Sequence, residues 1–185
     1  MAVGTTFPEV LAAARAGAAW AFEVLYRDLA PSVTGYLRLH GALEPDDLAS
    51  ESFIGLFTSL STFDGDEGAL RAWVFTIAHR RLVDDWRRRS RRPQVRGSDA
   101  DLLGAIPGGD VEEDALAALG SVAVHELCAA LPDDQRAAIL MRIVGDLSLE
   151  QVADAMDRSV GAVKALQRRG LLTLRSELER TGVPL

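Results

Sequence analysis

Two stretches of this chain carry side chains suited to binding phosphate. The first is Asp84-Asp85-Trp86-Arg87-Arg88-Arg89-Ser90-Arg91-Arg92-Pro93. From Arg80 to Arg96 there are eight arginines against two acids, Asp84 and Asp85. A charge run is ordinarily a solvated face. Like charge at this density repels itself, however, unless phosphates or acids neutralise it, so phosphate contact is the favoured reading. The second stretch is Val160 to Leu174. There Lys164, Gln167, Arg168 and Arg169 are expected outward, while Val163, Leu171 and Leu174 face a core. Phe63 and Trp73 precede the arginine run. Aromatic rings beside a basic helix suit capture of a single strand, because bases stack on them while arginine tracks the phosphates. Trp73 lies on an apolar stripe, and core packing is the favoured reading for it.

The second basic stretch needs a frame, and its flanks supply one. Leu131-Pro132-Asp133-Asp134 opens a helix, with Pro132 presetting φ and two carboxylates at the positive end of the dipole. Leu140, Ile143 and Val144 carry its apolar face to Gly145, the expected left-handed stop. Ser148 and Gln151 have the spacing of a capping box. Leu149, Val152, Ala153 and Met156 then form one buried face. Asp157-Arg158 makes a short turn and Ser159 caps the basic helix. A short helix, a tight turn and a second, basic helix is the helix-turn-helix arrangement, whose second helix enters the major groove. An ordinary helical hairpin has the same pattern, so the rest of the chain must arbitrate.

Upstream, Glu9 to Gly17 is a short helix candidate. Ala18 to Leu29 is a stronger one, with Phe22, Leu25, Tyr26 and Leu29 on one face. Pro31 interrupts it or restarts a turn; Val33, Tyr36 and Leu37 continue the apolar face to Gly41. Pro45-Asp46-Asp47 starts another helix. Ala49, Phe53, Leu56, Phe57 and Leu60 are its buried stripe, and Asp47, Ser50 and Glu51 its solvated face. Phe63 to Gly68 is a loop by composition. A long helix follows from Ala69 to about Arg89, with Leu70, Trp73, Val74 and Ile77 inward, and Pro93 ends it.

The chain has 185 residues, 48% of them hydrophobic, enough for one large domain or two small ones. Its net charge of −7 argues at first against a nucleic-acid partner, but the charge is segregated. Ser98 to Asp114 holds six acids and no lysine or arginine, directly after the basic run. Gly97 to Gly109, rich in glycine and acids, reads as a flexible linker with the domain boundary inside Gly97 to Val111. A helix with Leu116, Leu119, Ala123 and Leu127 on one side follows. Cys128 is the sole cysteine, which excludes an intramolecular disulfide. His40, His79 and His125 have no ligand spacing, so no metal site is expected. No apolar run is long enough for a membrane span, no signal peptide is evident, and a cytoplasmic protein is expected. There is no phosphate-binding glycine loop and no nucleophile–base pair in a recognisable setting, so neither a catalytic residue nor a cofactor is expected.

Taken together, Trp20 to Arg175 resembles the extracytoplasmic-function class of bacterial RNA polymerase sigma factors of the sigma-70 family. Trp20 to Pro31 looks like the family's opening helix. Asp47-Leu48-Ala49-Ser50-Glu51-Ser52-Phe53 is similar to its acidic helix, with Ser50 where glutamine is usual. Arg71 to Ala78 with Asp84 to Arg89 looks like its melting and downstream-promoter helix, with His79-Arg80 in place of Arg-Asn. Leu131-Pro132, Gln135-Arg136, Leu147 to Ala153 and Val160 to Lys164 are similar to its upstream-promoter domain, with Leu166-Gln167 in place of Arg-Leu. Any one motif is weak; four in order at the right intervals are specific.

The resemblance implies an all-α fold of two small helical domains: a region 2 bundle over residues 1–96, a flexible acidic linker over 97–111, and a region 4 helix-turn-helix domain over 112–185. It implies that Asp47, Ser50 and Glu51 dock on core RNA polymerase, through the beta and beta-prime subunits. Phe63, Asp64, Arg71, Arg80, Arg87, Arg88 and Arg91 would bind the −10 promoter element, with one base captured in the loop Thr62 to Gly68. Lys164, Ala165, Gln167, Arg168 and Arg169 would bind the −35 element. An anti-sigma factor is an expected further partner, and the acidic linker would thread a nucleic-acid channel of the polymerase. Two other readings compete: a polymerase-independent helix-turn-helix regulator, for which no dimer stripe is evident, and an anti-sigma-like adaptor, which leaves the arginine run unexplained.

Overall fold

The computed structural model describes residues 6–91 and 123–181. Within them the chain is helical, without strands. The N-terminal half holds α1 (Phe7–Arg15), α2 (Ala19–Leu39), α3 (Pro45–Ser59) and α4 (Glu67–Ser90). The C-terminal half holds a helical segment over 123–129, here α5, then α6 (Asp133–Ile143), α7 (Leu149–Met156) and α8 (Val160–Thr181). The expected linker over 97–111 lies outside the described residues.

In the N-terminal half, α2, α3 and α4 pack around Leu25, Leu29, Val33, Leu37, Phe53, Leu56, Leu60, Leu70, Val74 and Leu82, all buried. Phe22 packs against Phe57 and Tyr26 edge-on against Phe53, both with ring centroids 4.8 Å apart. Asp66 caps α4, accepting from the Ala69 amide at 2.7 Å. That is the structural reason the acidic loop stops where it does.

Four local expectations are corrected. Pro31 does not interrupt a helix; α2 runs through it. The ring and Arg27, whose carbonyl it cannot bond, are both exposed, so the gap in the hydrogen-bond ladder falls on the solvent side of the helix. The left-handed residue after α6 is Asp146, at φ 52°, not Gly145. Gly145 is required for another reason: a β-carbon there would lie 2.6 Å from the Met141 carbonyl oxygen and 3.1 Å from the Phe75 ring. Ile143, expected on the apolar face of α6, is exposed. On α8 the buried positions are Val163, Leu166 and Gly170, while Leu171 is 56% exposed and Leu174 half-buried. The expected stripe followed the largest side chains. The actual contact with α6 is made where Gly170 lets the helices close, a β-carbon there lying 2.5 Å from Ile139 Cδ1.

The helix-turn-helix is as its spacing predicts. The Ser148 hydroxyl accepts from the Gln151 amide at 3.2 Å, and the Gln151 side chain accepts from the Ser148 amide at 2.8 Å. Asp157 adopts φ 53° and ends α7. The Ser159 hydroxyl accepts from the Ala162 amide at 3.2 Å and starts α8.

The two halves are not apart. The buried cluster of the N-terminal half continues into Leu140, Met141, Leu147, Val152 and Val163 of the C-terminal half. The seam lies chiefly between α4 and α7, with α2 touching α6.

Candidate nucleic-acid interface

The foot of α4 carries the aromatic pair. Phe63 and Trp73 stack face to face, ring centroids 5.3 Å apart and 9° from parallel. Both rings are half-buried. Core packing and a rim position are therefore reconciled: each ring braces the other and keeps part of its surface open. Gly65 makes the loop possible, since a β-carbon there would fall 2.8 Å from Phe63 Cζ. Asp64 stands beside them, exposed.

Along α4, Arg80, Arg87 and Arg91 recur at intervals of seven and four and share one face, spanning about 16 Å at 1.5 Å per residue. All three are exposed, as is Arg88 on the adjacent face. Arg87 lies 3.6 Å from Asp84 and Arg88 3.4 Å from Asp85; Arg89 also pairs with Asp85. The Arg87–Asp84 pair is exposed on both sides and weak, whereas the Asp85 carboxylate is only 18% exposed and holds Arg88 and Arg89 against the helix. Arg71 is not part of this group. Nine residues before Arg80, it lies half a turn around the helix. Its side chain is 18% exposed and meets the buried Asp28 carboxylate of α2 at 3.2 Å. This Asp28–Arg71 pair fixes α2 against α4, and sequence reasoning missed it, because a contact over 43 residues has no local signature.

The acidic face of α3 meets α4 through one ion pair. Asp47, Ser50 and Glu51 are exposed. The Ser50 hydroxyl donates to the Asp46 carbonyl at 2.9 Å, and Glu51 pairs with Arg81 of α4 at 2.7 Å. Exposed Ile54 continues this face one turn on.

On α8, Lys164, Ala165, Arg168 and Arg169 are exposed and Gln167 is half-buried. Lys164, Gln167, Arg168 and Arg175 share an open, solvent-facing surface of α8 with the exposed Leu171 and Leu172. A basic second helix whose outer face is free has the form that fits a major groove. Leu166 points inward, so the rotation of α8 follows from packing and leaves Lys164 and Arg168 one turn apart on the outer face.

The histidines that looked scattered are partly gathered. His40 and His79 lie with ring centroids 6.2 Å apart, and Trp86 is 5.0 Å from His40. The Tyr36 hydroxyl is 2.8 Å from His79 Nδ1. His40 is 1% exposed with neither ring nitrogen hydrogen-bonded. Burial pushes its pKa down to about 3, with the charges of His79 and Arg136 adding to the effect. Burial also lowers His79. This is a neutral, aromatic packing cluster; among the described residues no group of three or more candidate ligands could hold a metal. No helix among them is long and apolar enough to cross a membrane.

Comparison with known proteins follows these divisions. Residues 25–92 match the sigma-70 region 2 family, and residues 121–174 the sigma-70 region 4 family. The chain is 31% identical over 154 residues to the RNA polymerase sigma-H factor of Pseudomonas aeruginosa, covering 78% of this chain and 79% of that one. It is 30% identical over 169 residues to the ECF RNA polymerase sigma factor BldN of Streptomyces coelicolor, covering 90% of this chain but 63% of that longer protein. Among solved structures, CnrH in complex with the cytosolic domain of CnrY has the same fold, with a TM-score of 0.68 at 23% identity, over 95% of this chain and 98% of that one.

Proposed function

The chain belongs to the extracytoplasmic-function class of sigma-70 RNA polymerase sigma factors, and from that premise we propose how its residues divide the work of starting transcription. The N-terminal half, within residues 1–96, docks on the beta and beta-prime subunits of core polymerase through Asp47, Ser50 and Glu51. The same half takes the −10 element on α4. Arg80, Arg87, Arg88 and Arg91 hold the phosphates of the opened strand, and an extruded base stacks on the Phe63–Trp73 pair beside Asp64. Arg71 acts through Asp28, setting the position of α4 rather than touching DNA. The C-terminal half, within residues 112–185, reads the −35 element with Lys164, Ala165, Gln167, Arg168 and Arg169 in the major groove. The segment 97–111 tethers the halves and lends its acids to a basic channel of the polymerase.

The observation that carries this reading is the presence of two separate exposed basic helix faces, one in each half, beside an exposed acidic face on α3 that meets α4 at the Glu51–Arg81 pair. A repressor reading needs only the second. No chemistry is required of the protein beyond binding and orientation, and the polymerase performs the reaction. Because core polymerase works in the cytoplasm, the chain is placed there. CnrH is seen bound to the cytosolic domain of CnrY; a comparable anti-sigma partner is proposed for this chain, which itself inserts in no membrane.

Run-off transcription with purified core polymerase tests the reading. Core plus this protein should initiate at a defined site that core alone ignores. Specific, tight duplex binding by the free protein with no effect on core would instead support the polymerase-independent regulator.

A further inference from the structure

From Arg80 to Arg91 there are six arginines, and acids sort them. Arg80, Arg87 and Arg91 form the exposed face of α4, with Asp84 between them on the same face. The flank that looks toward α3 is laid out differently. Arg81, Asp85 and Arg88 recur there at intervals of four and three, and Arg89 lies one turn beyond Asp85. Arg81 is held by Glu51 of α3 at 2.7 Å, and its other terminal nitrogen lies 3.3 Å from where a Gly55 β-carbon would stand. Arg88 donates from Nη2 to Asp85 Oδ1 at 3.4 Å, and Arg89 pairs with Oδ2 of the same carboxylate.

The two neighbouring acids differ in kind. Asp84 is 69% exposed and meets Arg87 at 3.6 Å. Asp85 is 18% exposed and holds two guanidinium groups. A carboxylate three and four residues ahead of arginine is in the favourable orientation on a helix, and one withdrawn from water is screened less by salt. Asp85 therefore fixes side chains where Asp84 does not. Its contact with Arg88 is single, which leaves the rest of that fork for a phosphate at the edge of the face.

This layout bears on which nucleic acid α4 prefers. An opened strand is narrow. It can follow the face from the Phe63–Trp73 pair onward, its bases stacking on the rings while the arginines track its phosphates. A duplex offers no free base face to stack. It binds by charge, and its width lets it straddle face and flank together. Each guanidinium released on the flank adds more to duplex binding than to strand binding.

We propose that Asp85 is a positioning residue that sets this preference: by holding Arg88 and Arg89 along α4, it keeps the flank from gripping non-specific duplex and leaves the opened strand as the favoured ligand of the helix. The inference rests on the −10 reading above. It adds that an acid inside the arginine run supplies discrimination.

Three variants of the full chain test it. Asp85→Asn removes the charge and keeps the shape. Asp84→Asn changes the net charge equally and is the control. Asp85→Glu keeps a carboxylate near both arginines and is the rescue. Each is titrated against a fluorescent oligonucleotide and against the duplex of the same sequence, at several salt concentrations. Asp85→Asn should raise duplex affinity about five- to ten-fold more than strand affinity, and steepen the duplex salt slope by about one unit for each arginine released. Asp84→Asn should move the ratio less than about two-fold, and Asp85→Glu should stay near wild type. In run-off transcription with core, Asp85→Asn should lose at least about ten-fold to excess non-specific duplex that wild type resists, and recover when the competitor is left out.

A residue that merely braces α4 behaves otherwise. Asp85→Asn would then melt lower and bind strand and duplex alike more weakly, with the salt slope unchanged; that result overturns the proposal, as does an equal effect from Asp84→Asn. Arg87→Ala separates the proposal from its premise. Weaker strand binding there, with no change of preference in Asp85→Asn, ends the proposal alone. Unchanged strand binding in Arg87→Ala ends the −10 reading of α4, and the proposal with it.

Discussion

At the scale of single residues, exposure separates the side chains proposed to bind from those that build the fold. Lys164 and Arg168 are exposed one turn apart on α8. Alanine at either should weaken −35 duplex binding by about 1–3 kcal/mol if it reads a base. If the side chain meets phosphate, all sequences should weaken alike and the salt dependence fall by about one unit. Specificity-resolved binding of the holoenzyme at several salt concentrations distinguishes the two; unchanged transcription by the double alanine variant would remove α8 as the reading surface. Asp47 and Glu51 offer the complementary test. Both are exposed, and the Glu51–Arg81 pair is a surface pair, so arginine at both positions should cost the fold less than about 1 kcal/mol. It should nevertheless abolish core binding in a pull-down, and wild-type affinity from the folded double variant would end the clamp assignment. His40 makes a prediction about stability. Its pKa is pushed down to about 3 in the folded chain, so the unfolded chain takes up a proton that the folded one refuses. Stability is fully present above pH 6.5 and is lost as pH falls toward 3, at about 1.4 kcal/mol per unit. Denaturant melts at pH 7 and 5 should differ accordingly, His79 adding in the same direction. His40→Leu should flatten the slope, and an equally steep slope in that variant would mean that other groups set it.

Single elements show how local signals and packing share control. The capping box of α7 is formed within four residues, Ser148 to Gln151, and needs nothing from the rest of the fold. The rotation of α8 is different. The positions of Leu171 and Leu174 suggest one face, yet Leu166 and Gly170 are the ones that turn inward, because α6 approaches most closely where no side chain intervenes. Gly170→Leu should therefore force Ile139 aside, destabilise the C-terminal half by about 1–3 kcal/mol, and rotate or tilt the basic face. Thermal melts and −35 binding should both suffer; a variant that melts and binds as wild type does would show that the contact at Ile139 has slack. In α4 the same helix turns Arg71 toward Asp28 and Arg80, Arg87 and Arg91 toward solvent, so a single element carries both an internal ion pair of the bundle and an exposed arginine face.

At the scale of the whole molecule, what remains is how far the halves can separate. Gly97 to Asp114 is 18 residues and reaches at most roughly 60 Å when extended. With the dimensions of the two halves added, that suffices for promoter elements more than one turn apart. Deleting about eight residues from it would shorten the reach by roughly 26 Å and should abolish transcription at the native promoter spacing, while each half still folds. Changing Asp99, Asp101, Asp110, Glu112, Glu113 and Asp114 to Asn or Gln keeps the reach and removes the charge. That variant should still recognise the promoter but seat less well in core, read as weaker holoenzyme assembly. If both variants transcribe as wild type does, the segment is a slack tether and neither its length nor its charge matters.

The sequence alone determined what is local. Helical periodicity, the caps at Ser148 and Ser159, the turn at Asp157, the acidic start of α3 and the clustering of arginine at the end of α4 are set by residues within a turn or two of each other. These features were enough to place the chain in its family and to nominate its exposed charged surfaces. Tertiary structure decided what depends on distant partners. Pro31 is tolerated because its face of α2 is turned to solvent, Arg71 is withdrawn from the basic face because Asp28 waits inside the bundle, and two histidines 39 residues apart come together in one aromatic cluster. The closing of the halves is the largest such decision. Arg136 looks like an ordinary surface arginine in sequence, and only the fold brings the end of α2 within its reach, because backbone carbonyls have no residue type to read.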